Sequence, residues 1–352
     1  LRDAGWYAQR DIDLRLKTTV SKIDPKAHTV ALEGGETIRY DKLLLATGGL
    51  PRDLKRVPGG DLDGILTLRS LADADKILAQ AKESQRVVII GASFIGMEAA
   101  ASLGKNKNLK LNVTVVDLVD LPFQKVLGDR IGKLFMDIHA ANGVTFHLGA
   151  KIEGFTGANG RVNGVQIGGG TTLPADFVLI GVGVRPATDY LKDSGLKLDE
   201  KDASVAVNAQ LQSSDPDIYA AGDIARYPVA GGTQRIEHWR TAQQHGVIAA
   251  RGMLGQHDSV ANHVPFFWTN QWGFGIRYVG HAEGWDEIIY RGTPENKDFV
   301  AFYVKDGALK AASGAKHDQV MDAIEFILLD GKPLTPEQMR DESFDLVAHA
   351  VS

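Results

Sequence analysis

Between residues 86 and 148 the chain switches repeatedly between two hydrophobic periods. Val87-Val88-Ile89-Ile90 is an unbroken β-branched run, the pattern of a parallel strand buried on both faces. Residues 93–103, rich in Ala and Met, read as a helix. Residues 111–116 read as a second strand, 129–142 as a second helix closed by Gly143, and 144–148 as a third strand. This βαβαβ order predicts an open parallel sheet with helices on both faces. Upstream, 70–80 reads as a helix, with Leu71, Ile77 and Leu78 apolar and no Gly or Pro. Downstream, 217–221 is a strand ending at Gly222-Asp223, and 239–254 is a long helix. From about Val264 the pattern becomes antiparallel, with strands at 275–279, 287–291, 299–304 and 309–313 and a hairpin signal at Asp306-Gly307. A helix over 318–329 puts Val320, Ile324, Ile327 and Leu328 on one side, with Gly331 placed to cap it.

Two stretches, 19–52 and 149–186, look like copies of one module. Each begins with a short strand, passes through a Gly-rich meander and ends in an apolar strand that opens into a Gly turn and a Pro. In the first copy that strand is Leu43-Leu44-Leu45, followed by Ala46-Thr47-Gly48; in the second it is Val178-Leu179-Ile180, followed by Gly181-Val182-Gly183. The strand–turn–helix of 86–104 precedes the second copy, whereas the first copy lies near Leu1. The expected organisation is therefore an α/β domain from 1–69 and 187–260, a second from 70–186, and an α+β domain over 261–352.

At 352 residues the chain is long enough for two or three domains. A net charge of −5 argues against nucleic-acid binding, which calls for a basic face. The absence of cysteine excludes disulfides, thiolate nucleophiles, Cys-ligated clusters and a redox-active dithiol within the chain. Any electron path must then run through a bound cofactor. No apolar run reaches membrane-spanning length, and 1–10 lacks the apolar core of a signal peptide.

The sharpest motif is Gly91-Ala92-Ser93-Phe94-Ile95-Gly96, set between a buried strand and a helix. Gly91 permits a tight turn, Gly96 allows close helix–strand packing, and the helix N-terminus offers N–H groups to a pyrophosphate. Ser93 stands where the fingerprint carries its middle Gly. Asp117 ends the next strand, 21 positions beyond Gly96, where a carboxylate accepts the ribose hydroxyls of NAD and repels the 2′-phosphate of NADP. Glu98 lies in the first turn of the helix. It is either a carboxylate beside the nicotinamide whose proton couples to hydride transfer, or an acid complementing the helix dipole. Asp223 is either a ribityl ligand of FAD or a turn-forming residue after Gly222. Arg235 to Trp239 leads into a helix whose N-terminus can stabilise negative charge on a reduced flavin. No third ligand accompanies His238 and His245, so no metal is expected. Within Phe266 to Gln271, Phe266 and Phe267 read as core, while Trp268 precedes a polar run and is placed at a cleft.

Together these residues resemble the pyridine nucleotide-dependent flavin reductases of the ferredoxin reductase and apoptosis-inducing factor type. The points of resemblance are Ala46-Thr47-Gly48, Gly91 to Glu98, Gly181 to Pro186, Tyr219 to Asp223, Glu237-His238-Trp239 and Phe267-Trp268. The stretch Arg277 to Asp286, with Phe299 to Tyr303, looks most like the Rieske-linked branch. The resemblance implies two Rossmann-like dinucleotide-binding domains, the first without its N-terminal βαβ, and a C-terminal α+β domain. It implies FAD bound through Val20, Ala46, Thr47, Gly48, Gly222, Asp223, His238 and Trp239, and places Arg52 and Gly183 among the cofactor-binding residues. NADH is bound through Gly91, Ser93, Phe94, Ile95, Gly96 and Asp117, with Glu98 at the nicotinamide and Trp268 at the flavin. Asn270 departs from the Asp that many relatives carry there. The implied activity passes a hydride from NADH to FAD and then electrons to a ferredoxin or Rieske-type iron–sulfur partner, in a cytoplasmic or mitochondrial protein, with a homodimer as one open assembly. Two alternatives stay open: an NADH-binding redox-responsive protein acting through partner association, and a flavin-free fragment.

Overall fold

The computed structural model describes residues 2–229 and 231–352. It contains two compact units, Leu1–Gly48 with Pro186–Val260, and Gly49–Arg185 with Ala261–Ser352.

The second unit is built around a five-stranded, wholly parallel sheet. Its strand order is Ile65–Thr67, Phe177–Ile180, Arg86–Ile90, Asn112–Val116, Thr145–His147. Side chains alternate between the faces of a strand, and here the faces meet different layers. Val87, Ile89, Val113, Val115 and Leu179 pack with the helices Leu71–Lys82, Phe94–Lys105 and Asp129–Ala141. Val88, Ile90, Val116, Val178 and Ile180 pack instead with Phe155, Val165 and Ile167. Those three belong to an antiparallel triplet, Ile152–Ala158, Arg161–Ile167 and Thr171–Pro174. The expectation of helices on both faces is thus corrected: the Gly-rich meander of the second module folds into a small sheet that covers one face.

The C-terminal segment forms a five-stranded antiparallel sheet in the order Phe266–Gln271, Phe274–Gly280, Ala308–Ala315, Asp298–Lys305, Glu287–Thr293. Val300, Phe302 and Val304 face Met321, Ile324 and Ile327 of the helix Asp318–Leu329. The alternate residues Phe299, Ala301 and Tyr303 join the core formed by the helices beside the parallel sheet. Both faces of this sheet are therefore apolar, which is why 261–352 shares a unit with 70–185. Residues 49–69, expected with the first segment, belong here because Ile65–Thr67 hydrogen-bonds in parallel to Phe177–Ile180. Strand Phe266–Gln271, read from sequence as an aromatic cluster, turns into its partner through Trp272 and Gly273. Their φ values are +55° and +79°, as a two-residue hairpin turn of the primed type requires.

In the first unit the antiparallel triplet is Val20–Asp24, Thr29–Leu32 and Thr37–Arg39. Strand Leu43–Leu45 then pairs in parallel with Ile218–Ala220. Helix Trp239–Met253 adds Ile248 and Ala249 to a core shared with Ile23, Leu45 and Ile218. Triplet followed by parallel strand is the same order of elements as in the second unit, so the duplicated module is real in three dimensions.

Candidate functional site

In the second unit the fingerprint closes as its glycines require. Gly91 follows the strand Arg86–Ile90 with φ +117°, a conformation open to glycine. A Cβ there would collide with the carbonyl of Gly181, and one on Gly96 would collide with the carbonyl of Gly91. Helix Phe94–Lys105 thus sits against the strand ends with its first-turn amides at the sheet's C-terminal edge, where open α/β sheets bind ligands. Ser93 is the N-cap, and its hydroxyl makes no capping bond. Ile95 is half-buried. The Phe94 ring packs against Phe123 at 4.8 Å and Phe267 at 4.9 Å, so in this turn its side chain is a core anchor.

Asp117 does more than sequence suggests. Its Oδ2 accepts from the Ala92 amide at 2.6 Å, and its Oδ1 from the amides of Leu118 at 2.6 Å and Val119 at 3.3 Å. The carboxylate therefore clamps the Gly91 turn to the neighbouring strand. A carboxylate has about four acceptor positions, so capacity remains for a ribose hydroxyl.

Glu98 is exposed, and its Oε1 accepts from the Thr269 hydroxyl at 2.6 Å. Thr269 is 2 % exposed, and Gln271 and His139 are fully buried. Gln271 Nε2 donates to Thr269 Oγ1 at 3.0 Å, His139 Nε2 meets Gln271 Oε1 at 2.7 Å, and Trp272 Nε1 donates to His139 Nδ1 at 3.2 Å. Burial lowers the affinity of His139 for a second proton; the Gln271 bond partly offsets this, and nearby Lys105 adds to it. Sequence reasoning missed this chain because its members are far apart in sequence and individually ordinary. Trp268 points to the opposite face of the same strand, half exposed, beside a cavity of about 460 Å³ lined by Asn270, Arg277, Lys316 and Asp318. Arg52 and Gly183 flank a two-stranded ribbon, and there the Arg52 amide donates to Gly183 O at 3.0 Å and Arg52 Nε to Val184 O at 3.2 Å.

In the first unit, Ala46-Thr47-Gly48 leaves the strand Leu43–Leu45 at its C-terminal end. Thr47 Oγ1 donates to Ala187 O at 2.8 Å, and Gly48 O accepts from the Ala187 amide at 2.9 Å. Gly222 and Asp223 likewise follow the strand Ile218–Ala220. Gly222, at φ +73°, lies close enough to helix Trp239–Met253 that a Cβ would meet Ala242 at 3.2 Å. His245, buried in that helix, accepts from the Gly222 amide at 3.2 Å, a positioning role that sequence reading overlooked. His238 is the N-cap of the helix, and Trp239 is 61 % exposed. In its first turn the Thr241 hydroxyl is buried without a hydrogen-bond partner among the described residues. Val20 opens the first strand of the triplet, half-buried against the unit's core. Behind the turn, burial acts to raise Asp202, but hydrogen bonds from Ser204, Arg226 and Arg235 overcome it and hold its carboxyl well below the usual range.

The family model for pyridine nucleotide-disulphide oxidoreductases matches residues 7–246. The chain belongs to this family. A second model, for the reductase C-terminal domain, matches residues 266–350. The chain is 32% identical to apoptosis-inducing factor 3 of Mus musculus over 96% of its own length and 55% of that protein's. It thus spans about half the length of the curated relative it matches there. It also superposes on the ferredoxin reductase for the CYP199A2 system of Rhodopseudomonas palustris with a TM-score of 0.92 at 32% identity, covering 99% of this chain and 85% of that one. Against the covalent putidaredoxin reductase–putidaredoxin complex the TM-score is 0.91 at 31% identity, covering 100% and 84%. The Rossmann-like pair of dinucleotide folds with a C-terminal α+β domain is the fold of these reductases. Among the described residues no helix is long and apolar enough to cross a membrane.

Proposed function

We propose that this chain carries the NADH site and the FAD site of a reductase that hands electrons to an iron–sulfur protein of ferredoxin or Rieske type. The observation that carries the reading is the Gly91 turn. Two glycines make room for backbone that no other residue allows, and the turn lies at a helix N-terminus suited to a pyrophosphate. Asp117 would take one ribose hydroxyl with its remaining acceptor capacity while holding the turn, and its charge disfavours a 2′-phosphate.

For FAD, the first unit offers the 46–48 turn, the Gly222-Asp223 turn and a helix end with one unsatisfied buried hydroxyl, Thr241 Oγ1. A polar ligand with anionic and hydroxyl groups fits that set. Asp223 would hold a ribityl hydroxyl, and the helix N-terminus would favour negative charge on the ring. FAD, when bound, supplies the conversion between two-electron and one-electron transfer. The chain has no cysteine, so no dithiol within it can carry the electrons onward as a pair. The likeness to a putidaredoxin reductase bound to putidaredoxin supports an iron–sulfur acceptor.

The test is an anaerobic visible spectrum of the purified chain with FAD, before and after NADH, followed by turnover with ferredoxin. A bound flavin that bleaches with NADH and reduces ferredoxin is the expected result. Unbound flavin, or slow turnover with NADH-dependent dimerisation, would overturn it, the latter in favour of a protein acting through partner association.

A further inference from the structure

The buried chain behind Glu98 has a direction, and the direction can be read from donor chemistry alone. An indole N–H only donates. Trp272 Nε1, 3.2 Å from His139 Nδ1, therefore makes Nδ1 the acceptor and leaves the imidazole proton on Nε2. Nε2–H then donates to Gln271 Oε1 at 2.7 Å, which fixes the amide so that its Nε2 donates to Thr269 Oγ1 at 3.0 Å. With one donor already on its oxygen, the Thr269 hydroxyl sends its own proton to Glu98 Oε1 at 2.6 Å. Four hydrogen bonds thus point one way and end on a carboxylate, and donors aligned in this manner polarise one another.

The backbone supports the same reading. Trp272 holds φ +55°, a left-handed conformation in which a bulky residue is an outlier. Its ring lies beside Gly104, where a Cβ would meet it at 2.7 Å. The hairpin tip is therefore plugged between Gly104 and His139 of the nucleotide fold, and strain of this kind persists only where surroundings over-determine it.

We propose that Trp272, His139, Gln271 and Thr269 form a one-way hydrogen-bond chain by which the C-terminal sheet sets the position of the Glu98 carboxylate at the dinucleotide site. Thr269 is the positioning residue that touches Glu98, and the other three align it. The proposal rests on the reading of the Gly91 turn as the NADH site.

The test uses the full chain with FAD and three variants. Thr269→Val removes the hydroxyl at constant shape and Thr269→Ser restores it, while Trp272→Phe removes the donor at the far end. Expected for Thr269→Val are an NADH dissociation constant within about twofold of the parent and flavin reduction slowed about tenfold in stopped flow, roughly 1.4 kcal/mol. Thr269→Ser should recover the parent rate. A second readout needs neither cofactor: nitrogen-15 NMR of histidine-labelled protein should give His139 as the Nε2–H tautomer, with that preference lost in Trp272→Phe. An Nδ1–H tautomer in the parent overturns the proposal, as does a Thr269→Val variant that binds NADH and reduces flavin like the parent. Failure of the parent to bind NADH would instead overturn the site reading, leaving the tautomer result to stand alone.

Discussion

The two copies of the repeated module share an order of elements and differ in their neighbours. In the second, strand Phe177–Ile180 has parallel partners on both sides, and all four of its residues are buried. In the first, strand Leu43–Leu45 has one parallel partner among the described residues, and two of its three residues are only half-buried. The local sequences, Leu-Leu-Leu and Val-Leu-Ile, are equally apolar. Burial is thus set by what flanks the strand, and the apolar run states only what each strand is able to bury. The turns differ in the same way. Gly181 closes onto the helix Phe94–Lys105, its imagined Cβ 3.1 Å from the Gly96 amide, while Gly48 is held by a backbone bond from the Ala187 amide.

The sharpest way to break this comparison is to add one methyl group at each turn: Gly48 in the first copy and, for the second, Gly96 of the helix that Gly181 closes onto. Gly96→Ala places a Cβ on the Gly91 carbonyl, so the helix must leave the strand. We expect NADH affinity to fall at least a hundredfold, about 2.8 kcal/mol, with a lower melting temperature. Gly48→Ala, at φ +69°, should cost about 1–2 kcal/mol of left-handed strain and leave NADH affinity intact. Calorimetry of both variants decides it; equal losses of NADH binding would show that helix–strand closeness is not what builds the site.

A smaller effect is expected from the strands themselves. Leu179 is fully buried between two parallel partners and Leu44 only half-buried. Leu179→Ala should destabilise its unit by about 2–5 kcal/mol, and Leu44→Ala by about 1 kcal/mol, in proportion to the area it removes from solvent. Urea denaturation measures both. Comparable shifts would mean that the two copies are equally buried in solution.

Much of this was legible in sequence because the signals were local. Val87 to Ile90, the Gly91–Gly96 spacing and the helix Asp318–Leu329 each state their conformation within a dozen residues. The module repeat was also visible, since both copies carry apolar strands ending in Gly turns. Less legible was anything decided by a distant partner. The Gly-rich meander after Gly149 covers a sheet face through Phe155, Val165 and Ile167, and nothing within it announces which layer it will meet. Strand Phe266–Gln271 lacks an Asn-Gly or Asp-Gly turn because Trp272 takes the left-handed position. Asp117, expected at a ribose, also clamps the Gly91 turn through the Ala92 amide. Thr269, Gln271 and His139 were invisible as a group, since only folding brings residues 98, 139 and 269–272 together.

Acid should separate the two units by the least dramatic route, protonation of one group in each. His139 in the second unit is held below its ordinary value of 6.5, by burial first. The unfolded chain then binds that proton more readily than the folded one. The stability His139 confers is complete above pH 6.5 and is lost as pH falls from there through the folded value. Asp202 in the first unit is also depressed, from 3.8, by hydrogen bonds from Ser204, Arg226 and Arg235 that overcome its burial. Its contribution is complete above pH 3.8 and is lost only below that, so the second unit should weaken first as acid is added. Urea denaturation at pH 7 and pH 5 should show a decline in the second unit that His139→Gln flattens. The first unit should keep its Asp202 contribution across this interval. If His139→Gln keeps the parent's slope, the second unit's acid response arises elsewhere and the buried imidazole is not its sensor.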